Sequence, residues 1–372
     1  MILNLQAGAL INRIKAQKKL PIFQDFTTDC VWRPRKFSTT NFKSLFLNQI
    51  FLMMKQKIIV LFSILLFLGA IAFMAWDFFL SKESAQKNPY VYDISNFRKT
   101  DSASLCYKET AQIKPDAAEL RGIATSSDDR IFVTGDNKVF CFEKDGKPVF
   151  DFQTENPGQC IAISPSGEIF LGIENHLEIW NESGKLIKKW EAFNESSFIT
   201  SIGISEKYIF VADAGNKKVF RFDHLGNLTL TIGEKDTLKG IPGFIVPSPY
   251  FDLLLGRDGE LWVVNPGRHA FEAYNQNGDM ISTWSKTSMQ TDGFSGCCNP
   301  SHIALLSDGS FVTSEKGIER VKIHLPSGEF KCVVAAPESF IEGTRGLDLA
   351  TDSHDRILVL DPGKGIVRIF EK

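Results

Sequence analysis

Hydrophobic and polar positions alternate along this chain in a pattern that restarts six times. Each unit has a short apolar run, a turn such as Asp-Gly and a β-rich run ending in an acidic or amide residue. A basic turn and an aromatic-rich run follow. The clearest copies are "PSHIALLSDGSFVTSEKGIERVKI" from Pro300, "ITSIGISEKYIFVADAGNKKVFRFDHLGN" from Ile199 and "RGLDLATDSHDRILVLDPGKGIVRIF" from Arg345. Period-two alternation bounded by Gly, Asn and Asp clusters reads as strands. Four such strands recurring every ~40–50 residues are the mark of a propeller blade. The pattern therefore predicts an all-β, six-bladed β-propeller over residues 103–372.

Aligning the turns places inner strands near 122–125, 160–164, 201–205, 252–255, 302–306 and 348–352. Second strands follow at 131–134, 169–172, 209–212, 261–264, 311–314 and 357–360. Third strands include "KVFCFE", "HLEIWN", "KVFRFD", "AFEAYN", "RVKIHL" and "IVRIFE"; five of them lead into hairpin turns at Gly146, Gly184, Gly226, Gly278 and Gly328. The sixth unit stops at Lys372 after its third strand. Its outer strand is expected from "SLCYKETAQI", residues 104–113, which precedes the first blade and would leave no blade edge unpaired. Asp213, Asn265, Glu315 and Asp361 recur at the ends of second strands, where they read as turn caps.

Ahead of the repeats, residues 58–76 carry no charge and are long enough to cross a hydrocarbon core as a helix. Lys55 and Lys57 precede this run and Asp77 follows it, so the basic bias lies on its N-terminal side. The positive-inside rule then puts the N-terminus in the cytoplasm and the propeller on the periplasmic or extracellular side of the cell membrane. Residues 54–80 read as a signal-anchor, with a cleaved signal peptide as the rival. Residues 1–53 read as a cytoplasmic tail or an over-extended start ahead of Met54, and residues 81–102 as a linker. Of the 42 basic and 44 acidic residues, 11 and 3 lie in residues 1–82, which leaves 31 against 41 downstream, a net of −10. An acidic propeller without a basic stripe argues against nucleic acid as a partner.

The spacing "P-x-x-I-A-x-x-x-D-G-x-x-V-x-x-(D/E)-x-G", followed by a basic residue and a "V-x-x-F" strand, resembles NHL repeats. The resemblance covers about residues 118–372 and departs in blade 2, where Ile173 replaces the acidic residue. It implies a six-bladed fold of the gluconolactonase and strictosidine-synthase-like superfamily. Those folds include metal-dependent hydrolases and lyases as well as pure binding modules, and gluconolactonase-like enzymes hold a metal in the central channel.

The two longest loops running into inner strands (feeder loops) are residues 233–250 and 285–301, flanking blade 4. Lys217, Arg268, His269, Lys316 and Lys364 fall on the same face, either as a basic surface or simply as hairpin residues of the repeat. A pocket there, rimmed by Phe244, Tyr250 and Phe294, suits a protein or small anionic ligand. The positions opening the inner strands are Gly122, Cys160, Ser201, Asp252, His302 and Asp348. Cys160, Asp252, His302 and Asp348 have the atoms to hold a divalent metal, and a wet channel lined by polar residues is the simpler account. "FSGCCNPSH" brings Cys297, Cys298 and Asn299 beside His302. The adjacent cysteines read as a vicinal disulfide, a thiolate metal site or packed thiols. Cys160 lies across the ring from them. Cys106 and Cys141 fall on neighbouring blades and are expected to be near each other, while Cys332 has no evident mate.

No Gly-x-Ser-x-Gly, P-loop, dinucleotide fingerprint or Cys-x-x-Cys occurs. The sequence is read as a membrane-anchored, exported recognition or scaffold module. The alternative is a metal-dependent hydrolase or lyase using Asp252, His302 and Asp348.

Overall fold

The computed structural model describes Thr40–Leu80 and residues 93–372, with the side chains of the helix from 51 to 77. Cys30, most of the 1–53 stretch and residues 81–92 of the linker lie outside the described residues. The chain divides into two units, residues 1–91 and 92–372. In the first, helix α1 (Thr40–Leu80) contains a candidate span, Phe51–Asp77, whose most apolar 18 residues have a mean hydropathy of 2.9. Lys55, Gln56 and Lys57 sit near one end of the span, and beyond them Leu, Ile and Phe occupy every face. Its 27 residues exceed the ~20 needed to cross a bilayer, and the helix is a candidate membrane span.

The second unit begins with β1 (Lys108–Ile113) and continues as six four-stranded antiparallel sheets. Blade 1 holds β2 (Leu120–Thr125), β3 (Ile131–Gly135), β4 (Lys138–Phe142) and β5 (Pro148–Gln153). Blade 2 holds β6 (Cys160–Ile163), β7 (Ile169–Ile173), β8 (His176–Trp180) and β9 (Leu186–Lys189). Blade 3 holds β10 (Ile199–Ile204), β11 (Tyr208–Asp213), β12 (Lys218–Asp223) and β13 (Leu228–Ile232). Blade 4 holds β14 (Leu253–Leu255), β15 (Leu261–Asn265), β16 (Ala270–Tyr274) and β17 (Met280–Ser285). Blade 5 holds β18 (His302–Leu305), β19 (Phe311–Ser314), β20 (Val321–His324) and β21 (Phe330–Ala335). Blade 6 holds β22 (Leu349–Thr351), β23 (Ile357–Asp361) and β24 (Ile366–Glu371), with β1 as its outer strand. The six-bladed reading of the sequence is the observed fold, and the hairpin glycines sit at positive φ as those turns require (Gly146 85°, Gly226 90°, Gly328 85°).

Strand alternation becomes ring packing because successive residues of a second strand point into opposite seams. Ile131 and Val133 enter the seam with blade 6, whereas Phe132 between them enters the seam with blade 2. Ile357 and Val359 face blade 5, while Leu358 and Leu360 face blade 1. Each of the six seams thus owns one apolar cluster, and second strands such as β3, β7 and β23 are buried along their whole length. Outer strand β9 is exposed throughout, whereas outer strand β21, flanked by the chain ahead of β1, is apolar and buried from Cys332 to Ala335.

Three of the expected caps behave as such. Asp213 Oδ1 accepts the N–H groups of Phe198 and Asn216, each at 3.0 Å, Asn265 Oδ1 that of Ile245 at 2.9 Å, and Asp361 Oδ1 that of Lys364 at 3.2 Å. Glu315 differs. It is buried against Arg320 at 3.2 Å and Lys322 at 2.7 Å, because blade 5 carries two cations in its third-strand region that need a counter-charge away from water.

The ring closes where expected. β1 pairs antiparallel with β24 from Lys108↔Glu371 to Ile113↔Val367. Glu109 of β1 also pairs with buried Arg368, which lies 3.6 Å from Asp361 and donates to Ser339 O at 2.8 Å. The cysteine arithmetic is corrected here: Cys106 bonds Cys332, with Cα atoms 5.9 Å apart, while Cys141 is a buried free thiol. The chain entering β1 first runs beside β21 of blade 5, with a Leu105↔Val333 bridge and Cys106 N–H donating to Val333 O at 3.1 Å, so Cys106 never reaches blade 1. The disulfide spans 226 residues of sequence. Cys106→Ser, or reduction of the wild type, should lower unfolding free energy by about 2–5 kcal/mol in urea titrations; unchanged stability would remove the bond from the account of closure.

Candidate functional site

The inner strands begin at the mouth of the central channel, where backbone N–H groups emerge from one blade and face the next. Short polar side chains at these positions satisfy them. Thr200 Oγ1 donates to Phe251 O at 2.5 Å, and Ser201 Oγ donates to Leu253 O at 3.3 Å, tying blade 3 to blade 4. Asp252 accepts its own neighbour's N–H (Leu253, 2.8 Å) through Oδ1 and that of Ile303 in blade 5 (2.8 Å) through Oδ2. Asp348 repeats this with Leu349 at 2.8 Å and Ile123 of blade 1 at 2.9 Å. His302 sits between the two carboxylates, its Nδ1 3.1 Å from Asp348 Oδ1 and 3.6 Å from Asp252 Oδ2. The polar ring read from the sequence is therefore a girdle of inter-blade bonds running from blade 3 round to blade 1.

Three of the four expected metal-site residues converge. One donor atom each from Asp252, His302 and Asp348 lies within 4.8 Å of the others. Cys160 does not join them. Its thiol is packed against Gly172, where a Cβ would come within 2.5 Å of the sulfur, and burial pushes the thiol well above its ordinary range. Burial also opposes charge on His302, but Asp348 and Asp252 outweigh it and raise the imidazole to about 10, so His302 is an imidazolium at neutral pH.

This trio separates two cavities. On one side a channel of about 410 Å³ is lined by all six inner strands, including Asp252 and Asp348. On the other, a pocket of about 300 Å³ opens on the feeder face, and His302 forms part of its floor. Its walls come from every blade, with Glu119, Arg121, Gln159, Thr200, Tyr250 and Arg345 as the polar contributors. Arg121 is held by Glu119 at 2.7 Å and Gln159 at 3.1 Å. Arg345 is exposed, and no ion pair engages it among the described residues. The sequence reading passed over Arg121, Gln159 and Arg345. The available signal was an Arg-Gly dipeptide repeated at the head of blades 1 and 6, Arg121-Gly122 and Arg345-Gly346.

Of the expected pocket rim only Tyr250 lines the pocket, its ring edge-on to His302 at 5.8 Å. Phe294 is fully buried against Phe271 and under the Lys322 ammonium, and Phe244 packs on Phe251 and Tyr274. Both were drawn into seams because a phenyl ring gains more from burial than from lining a wet pocket. Cys297 is exposed and Cys298 buried, with sulfurs 2.9 Å apart and unbonded. Asn299 is buried and holds the loop, donating to Ser295 O at 2.7 Å and Lys316 O at 2.9 Å. His269 Nδ1 meets Asn299 O at 2.9 Å; Arg268 and Lys217 are exposed on neighbouring turns outside the pocket. Lys364 Nζ donates to Ser339 O at 2.8 Å.

No protein-family profile and no curated protein sequence matches the chain. Solved structures do. A streptogramin B lyase superposes with a TM-score of 0.52 at 12% identity, over 71% of this chain and 97% of that one. Virginiamycin B lyase from Staphylococcus aureus gives 0.48 at 18% identity, over 72% and 88%. A catalytically inactive form of that lyase with quinupristin gives 0.48 at 17%, over the same shares. At such identity the first likeness is one of fold, a β-propeller.

The His302 charge has a pH signature. Its folded value, about 10, lies above the ordinary 6.5, so its stabilisation is complete below pH 6.5 and is lost as pH rises through 10. Denaturant titrations across that window should show the wild type losing up to roughly 1.4 kcal/mol per pH unit more than His302→Gln. Parallel curves would mean that the imidazole is neutral throughout.

Proposed function

We propose that the chain is a membrane-anchored, exported propeller of the NHL type that binds a small organic anion in its feeder-face pocket. The observation that carries this reading is charge placed against the grain. A domain with a net charge of about −10 puts two arginines and a single carboxylate, Glu119, on one pocket; Glu119 pairs with Arg121, and Arg345 has no carboxylate partner among the described residues. An unpaired guanidinium beside a concave, six-blade wall is a bidentate receptor for a carboxylate or phosphate. Leu120, Phe198, Pro249 and Pro362 add apolar wall, so the ligand's body is apolar or aromatic. Export is supported by the basic bias ahead of α1 and by the Cys106–Cys332 bond, which belongs in an oxidising compartment.

Phenyl phosphate and benzoate serve as probes. Arg345→Ala should weaken phenyl phosphate binding by roughly 10–100-fold in calorimetry, the loss of one charged hydrogen-bonding group. Unchanged affinity in that variant, or binding of neither probe to the wild type, would reject the reading.

A second reading, a metal-dependent hydrolase or lyase, is favoured by the convergence of Asp252, His302 and Asp348 within 4.8 Å. Both carboxylates keep lone pairs beyond their backbone bonds, and one His with two Asp is a donor set that suits a divalent cation with open positions for water. The imidazolium proton occupies that place, so an ion must displace it. Mn²⁺ or Zn²⁺ binding at pH 8 should therefore release about one proton, read from the buffer dependence of the calorimetric heat, and His302→Asn should abolish it. No metal retained at saturation would discard this reading and leave the first standing.

A further inference from the structure

Beside the pocket, the feeder loop of residues 285–301 presents two thiols that neither reading uses. The loop is held firmly. Phe294 N–H donates to Lys286 O at 2.8 Å and its ring is buried, while the Asn299 side chain also accepts Lys316 N–H at 3.0 Å. On this frame Cys297 faces solvent and Cys298 faces inward, with the sulfurs 2.9 Å apart, roughly 1 Å beyond the ~2.05 Å of a disulfide. The other free thiols of the propeller, Cys141 and Cys160, are buried in seams and have no such neighbour. A basic group stands behind the pair. Lys316 Nζ lies 3.0 Å from Ser248 Oγ and 4.7 Å above the Tyr250 ring. Burial works to raise Cys298, but hydrogen bonds with Cys297, Ser248 and Lys316 outweigh it and hold the thiol below its ordinary range. The hydrogen bond to Cys298, followed by burial, pushes Cys297 up.

We propose that Cys297 and Cys298 form a thiol–disulfide exchange site for small disulfides from solvent, with Cys297 as the attacking sulfur and Cys298 as the resolving one. Cys297 loses its proton to solvent, and its thiolate attacks a small disulfide RSSR. One S–S bond breaks, a mixed disulfide Cys297–S–S–R forms, and RS⁻ leaves and takes a proton. The Cys298 thiolate then attacks the Cys297 sulfur, closes the vicinal disulfide and expels the second RS⁻, which is protonated in turn. Two protein thiols are oxidised, one small disulfide is reduced to two thiols, and no other oxidant is needed. Exposure sets the order of the steps, since only Cys297 can be reached from outside, and the short sulfur–sulfur distance makes the second step intramolecular. Closure also ties up the Cys298 sulfur, a hydrogen-bond partner of Lys316, whose ammonium rests on the Tyr250 wall of the pocket. The exchange does not depend on what the pocket binds.

The test uses the full-length chain in detergent. It is pre-reduced with glutathione mild enough to spare Cys106–Cys332, exposed to oxidised glutathione, acid-quenched and mapped by peptide mass. The mapping separates any adduct on Cys30. The wild-type peptide carrying Cys297 and Cys298 should lose two hydrogens and keep no glutathione. Cys298→Ser should trap one glutathione on Cys297 at least tenfold more than the wild type, and Cys297→Ser should trap none. A wild-type peptide that stays a dithiol or stops at the mixed disulfide overturns the proposal without reference to any variant's fold. So does equal trapping by the two variants.

Discussion

Each second strand of this propeller is apolar on both faces, and both faces can be buried only if a blade stands on either side. That requirement governs the molecule. An open arc would leave two blades with a naked seam, and each fully buried Val, Leu, Ile or Phe stranded there would forfeit about 1.5–3 kcal/mol. Closing the ring removes the naked seams, and the device that closes it is β1, lent from the N-terminal side to blade 6 and fixed by Arg368, Glu109 and the Cys106–Cys332 bond. The six clusters, one to a seam, then support one another around the circle.

The same closure explains the polar girdle at the channel mouth. Inner strands splay toward the axis, so their first N–H groups have no strand partner on the channel side, and buried donors of that kind need an acceptor. Asp252 and Asp348 supply one to the following blade, and Ser201 does so less strongly. Two carboxylates brought close in this way repel, and His302 between them carries the compensating charge. A set that resembles a ligand shell is first a set of joints. Any ion or substrate bound there meets groups that already hold blades together, which makes conservative substitutions more informative at these positions than alanine.

The fold was legible because it is periodic. The turn glycines, the two-residue alternation and the missing sixth outer strand each say the same thing, and all twelve inner and second strands fall where the turns place them, to within a few residues at their ends. The trio of Asp252, His302 and Asp348 was legible for the same reason, since equivalent positions in a ring must approach one another. What sequence could not give were partners set by approach angle. Cys332 lies on an outer strand that no repeat logic links to Cys106; only the path of the chain along blade 5 before β1 makes them neighbours. Cys160 occupies the right register, yet its side chain turns into a seam because Gly172 opposite leaves room for it. Arg121 and Arg345 stand one and three residues ahead of Gly122 and Asp348, the first at the start of β2 and the second in the loop before β22, so no common register marks them.

The path of the N-terminal segment has a mechanical consequence. The chain upstream of the propeller joins the ring at the seam of blades 5 and 6, where Arg98 meets buried Glu319 at 2.6 Å before Cys106 is reached. Tension drawn along this segment would load the Arg98–Glu319 pair first and then a covalent bond to β21. Only beyond it would the load reach the ladder between β1 and β24, where it would act along the strands and shear several hydrogen bonds together instead of unzipping them singly. A pull on the N-terminal segment thus meets a covalent joint before it meets the strand ladder that seals the ring.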